Sequence, residues 1–318
     1  MHSLLARYAD AIFWMARYIE RAEDVARILD VNESFSRDSR GHQNWRSVLE
    51  LYADRERYAD TRGEPTPSGV IHFYTLDPTN STSILCDVGQ ARSNARTLRP
   101  LISTEMWTHL NIFHNELRRR SRTPLHPAEL SRFCGYVKET CQAHTGITEG
   151  TFYRDEGWHF YRLGRAIERA DQTTRLLDVK YHLLLPSLEH VGTPLDVSQW
   201  NALLRSAAAY HAFRRVHPSG MTPSDVAGFL LFNRNFPRSI AASVDAVERN
   251  IAELRHHYEL DNGGRALARI QQVREKLDSQ DVGTIIRHGL HEYLDELQRD
   301  LRAVTRDLGE AFFGLVPA

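Results

Sequence analysis

One stretch of this chain is written twice. RYIERAEDVARILDVN, Arg17 to Asn32, returns as RAIERADQTTRLLDVK at Arg165 to Lys180, with nine of sixteen positions identical. The relation continues downstream. Trp45 in NWRSVL is answered by Trp200 in QWNALL, and Val70 to Arg99 by Val226 to Arg255, where Phe73 pairs with Phe229, Ser83 with Ser239, Ile84 with Ile240, Asn94 with Asn250 and Arg99 with Arg255. The offset drifts only from 148 to 156 residues, as loop insertions would make it. Each copy has apolar faces that its twin covers most simply. The spacing therefore predicts a single domain over residues 1–318, built from two units of about 150 residues (1–150 and 151–318) packed about a pseudo-twofold axis.

The elements within each unit read as helices. Apolar residues recur three and four apart over Leu4 to Phe35, Trp45 to Tyr58, Ile84 to Leu98, Thr104 to Arg119, Pro127 to His144 and Gly157 to Leu185. The same period runs through Val197 to Tyr210, Pro223 to Phe232, Pro237 to His257, Ala266 to Leu277 and Thr284 to Phe313. Strand-like alternation is nearly absent, so the fold class is an all-α helical bundle. Pro, Gly and Asn punctuate the breaks at RGEPTPS, LDPTNS, HPSGMTP and DNGG, none of them long enough to link separate domains.

On a helical wheel the first copy of the repeat puts Arg17, Glu20, Glu23, Asp24, Arg27 and Asp30 on one side, and Ile19, Ala22, Ala26 and Leu29 on the other. A solvated, salt-bridged face would satisfy this pattern. Two features favour a charged belt inside a packed helix instead. Apolar residues bound it at both ends, with Phe13 and Ala16 before it and Val31 after it, and Arg17, Glu20, Arg21, Arg27 and Asp30 recur unchanged as Arg165, Glu168, Arg169, Arg175 and Asp178. If the two helices meet near the axis, Glu20 and Glu168 come together with Arg17, Arg21, Arg165 and Arg169. Such a cluster serves as a structural lock, as a fork-lined site for an anionic or zwitterionic ligand, or as a source of a carboxylate with a perturbed pKa for proton transfer. A di-metal carboxylate site is not expected, because neither Glu is followed by a His three residues later.

A second constellation is TNSTSILCDVGQARSNARTLR, from Thr79 to Arg99. Asn80 or Ser81 suits the cap of the helix that follows, with Ser83 in its first turn, and Pro237 suits the first helical position of the copy. Spare amides there, with Ser83 and in the copy Arg238, offer a place for a phosphate or carboxylate. Arg92, Arg96 and Arg99 recur at helical spacing as an acid-recognising stripe or a plain solvated face. Cys134 and Cys141, seven apart on one helical face, read as core thiols, and three cysteines build neither a disulfide framework nor a zinc site. No phosphate loop, nucleophile elbow, HExxH or kinase signature occurs, and no cofactor is expected.

Charge narrows the partners. Forty basic and forty-one acidic side chains leave a formal net charge of -1, so nothing draws the whole molecule to nucleic acid or anionic lipid. No segment reaches a membrane span and the first residues lack the pattern of a signal peptide, so a cytoplasmic location is the expectation.

The opening LLARYADAIFWMARYIERAEDVARILDV, the segment TLDPTNSTSILCDVGQARSNARTLRPLIS followed by Trp107 and Asn111, and WHFYRLGRAIERADQTTRLLDVKY together resemble the bacterial alpha-E domain family. The resemblance covers essentially the whole chain. Glu20 and Glu168 map onto the family's Glu-bearing motifs by their identical ERA contexts, with Asp171 standing where the first copy has Glu23. The resemblance implies association with circularly permuted ATP-grasp proteins and with transglutaminase-like proteins, in a system that makes or remodels peptide or amide bonds. On that basis the expected function is an accessory or binding protein of an ATP-grasp amide or peptide ligase, whose central Glu/Arg cluster binds partner or ligand. The alternative is an enzyme that uses Glu20 or Glu168 as general acid/base on an amide or peptide bond.

Overall fold

The computed structural model describes residues 4–38, 45–123, 125–184 and 194–315. The described residues are mostly helical and contain no strand. The first part of the chain forms α1 (Ala6–Asp38), α2 (Arg46–Leu51), α3 (Arg55–Arg62), α4 (Pro67–Thr75), α5 (Ile84–Thr97), α6 (Thr104–Arg120) and α7 (Leu130–Thr151). The second part forms α8 (Glu156–Leu184), α9 (Pro194–Ser206), α10 (Tyr210–Val216), α11 (Pro223–Phe232), α12 (Ile240–His257), α13 (Gly264–Ser279), α14 (Val282–His288) and α15 (Leu290–Phe312).

The longest helices, α1 and α8, form the centre. They run parallel: the Leu4 amide meets Glu156 at 2.7 Å, Gly164 lies against Phe13 and Ala16, and Arg21 meets Glu168. A Cβ at Gly164 would stand 2.2 Å from the Phe13 carbonyl oxygen, so only glycine permits so close an approach of the two backbones. Around this pair, α1 packs on α5 and α7, and α8 packs on α12 and α15. One apolar core runs through both halves, from Ile12 and Phe13 through Phe160 and Leu177 to Leu294 and Leu301.

Positions related by the repeat offset share local geometry. Thr66 and Thr222 cap α4 and α11, each with a proline at the first helical position. Ser83 and Ser239 cap α5 and α12, and each hydroxyl also donates back, to the Asp77 and Asn233 carbonyls. Ala53 and Ala208, just past α2 and α9, both adopt positive φ, 54° and 55°.

Several element boundaries depart from the sequence pattern. The expected helix Trp45–Tyr58 is two helices, because Ala53 turns left-handed between α2 and α3, and Val197–Tyr210 is broken the same way at Ala208. Thr284–Phe313 is broken at Gly289, whose φ of 120° suits glycine. Neither Asn80 nor Ser81 caps α5; Ser83 does, accepting from the Cys86 amide. Pro237 likewise precedes α12 instead of opening it. The expected end of the central helix at Leu185 lies outside the described residues.

Candidate functional site: a buried charge belt between α1 and α8

The repeated Glu-Arg pairs meet face to face and exchange partners. Arg21 donates from Nε to Glu168 Oε1 at 2.6 Å and from Nη2 to Oε2 at 3.0 Å. Arg169 does the reciprocal, from Nε to Glu20 Oε1 at 2.6 Å and from Nη2 to Oε2 at 2.9 Å. Adjacent residues on a helix point about 100° apart, so an arginine next to a glutamate faces away from it and toward the neighbouring helix. Two parallel helices that each carry Glu-Arg at the same level therefore cross-pair, in the bidentate geometry that makes such bonds strong.

Each glutamate has further donors. Glu168, completely buried, also accepts from Arg17 Nε at 2.7 Å and from Gln172 Nε2 at 3.0 Å. Glu20 accepts a third bond from Arg238 Nη1 at 3.2 Å. Arg238 reaches in from the turn before α12, bonding Asp24 Oδ1 at 2.9 Å and Glu23 as well. It does not stand ready for an anion at the helix start. Glu23 in turn accepts from Arg27 at 2.6 Å and from Gln142 at 3.2 Å. Burial by itself would raise Glu20, but the Arg169 and Arg238 guanidiniums outweigh it and hold the carboxyl at about 2. Glu168 is held well below the ordinary carboxylate range in the same way, by Arg21 and Arg17 against its burial.

The remaining candidates fall into three groups. Arg27 and Arg175 tie the belt to neighbouring helix ends, donating to the Ser206 and Leu51 carbonyls and pairing with Glu23 and Asp171 one turn earlier. Arg165 stands where Arg17 stands in the first copy, yet its partner is Glu149 at 3.3 Å rather than a belt glutamate. Ser83 is fully buried and spent on its cap, and Arg92 is away from the belt, bonded to Asn111 on the α5–α6 hairpin.

Two carboxylates in the belt are poorly served. Both oxygens of Asp87 are buried without a hydrogen-bond partner, with Arg21 Nη1 no nearer than 3.9 Å. Burial pushes Asp87 up to about 8, Arg21 pulling down and Glu168 pushing up. Asp24 is also pushed up to about 8 by burial, against Arg238 and with Glu20 and Glu23 adding to the rise, and its Oδ2 is unpartnered. Gln172 and Asp87 were invisible in the sequence. An acidic residue in a first turn looks like an ordinary dipole partner, and nothing local says that it faces an arginine of another helix.

Within the belt, beside Asp24 and Arg27, the cavity is only about 10 Å³, room for one water at most. The arginine forks are already filled by carboxylates of the chain itself. Open space lies beyond the belt. A groove of about 520 Å³ is lined by Arg175, Asp178, His291, Arg299 and Arg302 among others, with His291 Nδ1 2.9 Å from Asp178. Among the described residues no three of His, Cys, Asp or Glu are grouped to hold a metal ion, and no helix is long and apolar enough to cross a membrane.

The crossed pairs are two Glu-Arg dipeptides, Glu20-Arg21 and Glu168-Arg169. The chain belongs to the Alpha-E family, described as a predicted alpha-helical domain with a conserved ER motif, whose profile matches residues 4–313. Among curated proteins it is similar to the uncharacterized protein Mb2597 of Mycobacterium bovis, at 22% identity over 96% of this chain and 36% of the relative. The uncharacterized protein Rv2567 of Mycobacterium tuberculosis matches with the same identity and coverage. The chain thus spans about a third of the length of these relatives. No solved structure matches it.

Proposed function

We propose that this chain is a cytoplasmic accessory protein that binds, and does not itself transform, a component of an ATP-grasp amide or peptide ligase system. The observation that carries the non-catalytic reading is the crossed pairing. Glu20 and Glu168 are each gripped by a bidentate arginine and at least one further donor, and both are held ionised. A carboxylate so held has neither the proton to give as a general acid nor the basicity to take one near neutral pH. The belt on this reading is the lock that sets α1 against α8, and the groove beside Arg175 is where a small ligand or partner side chain is met. The ligase context rests on the resemblance of the ERA motifs and their surroundings to the family.

The test is co-expression with a circularly permuted ATP-grasp protein, followed by size-exclusion chromatography and mass spectrometry. The expected result is a complex, and an amide product that requires nucleotide and both proteins. Turnover of an amide or peptide by this chain alone, abolished in Glu168→Gln, would establish the enzymatic alternative instead.

A further inference from the structure

The α5–α6 hairpin carries a surface that the buried belt does not use. Arg92 on α5 and Arg99 in the turn just after it place their guanidiniums 5.5 Å and 5.3 Å from the ring centre of Trp107 on α6. Arg92 is fixed further by its 2.7 Å bond to Asn111, one turn on from Trp107. Arg96 sits between them on α5, and Arg118 extends the same face of α6; both are exposed, as is Arg99. Not one of Arg92, Arg96, Arg99 and Arg118 forms an ion pair with a carboxylate among the described residues. Exposed arginines elsewhere among the described residues divide between those that pair with acids, such as Arg119, Arg132, Arg234 and Arg265, and those that do not, such as Arg154, Arg214 and Arg215. Acids near Arg92, Arg96, Arg99 and Arg118 do not serve them. Glu116 is taken by Arg119 and Arg120, and Glu105 lies about 200° round α6 from Trp107.

The corresponding hairpin of the second copy makes the contrast. At the repeat offset of 156, Arg92 becomes Glu248 and Arg96 becomes Ala252, while Arg99 remains Arg255. Glu248 is closed off by the chain's own donors, Arg274 Nη1 at 2.7 Å and Gln271 Nε2 at 3.1 Å. A helical hairpin therefore does not need an arginine at the positions of Arg92 and Arg96 to fold. At the Arg92 position one copy carries a paired acid, and the other carries an unpaired arginine against an indole.

We infer that the Arg92–Arg96–Arg99–Arg118 strip around Trp107 is a docking surface for an acidic segment of a partner polypeptide. The chemistry is that of the belt itself. Arg92 and Arg99 lie against the indole with no carboxylate of the described residues paired to them, and the chain's own preferred partner for a guanidinium is a carboxylate taken bidentately. Arg92 and Arg99 are seven residues apart across the last turns and end of α5, roughly 10 Å, which three or four extended residues span. A polypeptide rather than a nucleic acid is favoured on two counts. The net charge of -1 gives a long polyanion no further attraction. In the mycobacterial relatives, moreover, the matching region is only 36% of the polypeptide and so adjoins other protein segments. This surface is independent of the ligase reading above.

Fluorescence anisotropy of the full chain with a labelled octaglutamate peptide at about 50 mM salt tests it, alongside octaglutamine and an eight-residue oligothymidylate. Octaglutamate is expected to bind and octaglutamine not to. The Arg96→Ala/Arg99→Ala variant should weaken binding about tenfold, Arg92→Lys should give an intermediate loss because charge is kept and the fork is not, and Arg274→Ala on the other hairpin should leave it unchanged. Arg96 and Arg99 are exposed, so a matching thermal melt separates loss of contact from loss of fold. No binding of octaglutamate, binding undiminished in the double variant, or tighter binding of the oligothymidylate than of the peptide would each overturn the inference.

Discussion

Glu168 and Glu20 occupy equivalent places in the repeated motif, yet the two ends of the belt are furnished differently. At the Glu168 end two guanidiniums, Arg17 and Arg21, face Glu168 and Asp87. At the Glu20 end three guanidiniums, Arg169, Arg238 and Arg27, face Glu20, Glu23 and Asp24. With every carboxyl counted as ionised, each end carries as many acids as guanidiniums. The identical core of the motif thus leaves part of its compensation to the flanking helices, and these solve the problem with different residues, Asp87 on α5 in one case and Arg238 before α12 in the other.

The largest expected effect follows from where the removed charge leaves its partners. Glu168→Ala strands both Arg17 and Arg21, which have little exposure and no other carboxylate within hydrogen-bond distance, so it should destabilise by about 5 kcal/mol, the upper end of the range for a broken buried pair. Glu20→Ala strands Arg169 but leaves Arg238 bonded to Glu23 and Asp24, and about 3 kcal/mol is expected. Denaturant melts at pH 7 read both. Equal losses would erase the distinction between the two ends.

Gly164→Ala comes next. The added methyl carbon meets the Phe13 carbonyl, and the helices must separate, which should destabilise by roughly 1 to 3 kcal/mol as overpacking does. Because the crossed pairs depend on this approach, the variant should also weaken the Glu168→Ala effect. Strict additivity of the two in a double variant would show that backbone contact and charge pairing are uncoupled.

How much of this was legible beforehand varies by residue. The 3.6 period marked the helices, and the copied charges marked Glu20, Glu168, Arg21 and Arg169 as a unit, because a solvated face has no physical need to repeat itself. The interruptions at Ala53 and Ala208 were not legible, since alanine carries no signal for left-handed backbone. Arg238 was legible as a charged residue near a helix start but not as a member of the belt. Its place there depends on how α12 docks on α8, a tertiary fact that no local pattern encodes. Asp87 was hidden for the same reason.

Asp87 supplies the finest test of the comparison, through pH. Its carboxyl is raised to about 8 by burial, against an ordinary value of 3.8 in the unfolded chain. Between those values the folded protein holds a proton at Asp87 that the unfolded chain has released, so this residue subtracts stability as pH rises, by at most about 1.4 kcal/mol per pH unit, and the loss levels off above about 8. Glu20 has the opposite sign. Its folded value of about 2 lies below the ordinary 4.5, so its contribution is present above 4.5 and is lost as pH falls toward 2. Asp87→Asn mimics the protonated acid at every pH. The difference in stability between Asp87→Asn and the parent should therefore be small near pH 4 and grow in favour of the variant up to about pH 8, while the acid limb set by Glu20 and Glu168 stays in place. Urea melts of the two proteins at half-unit pH steps measure this. A difference curve that is flat from pH 4 to 8 would mean that Arg21, at 3.9 Å, already compensates an ionised Asp87.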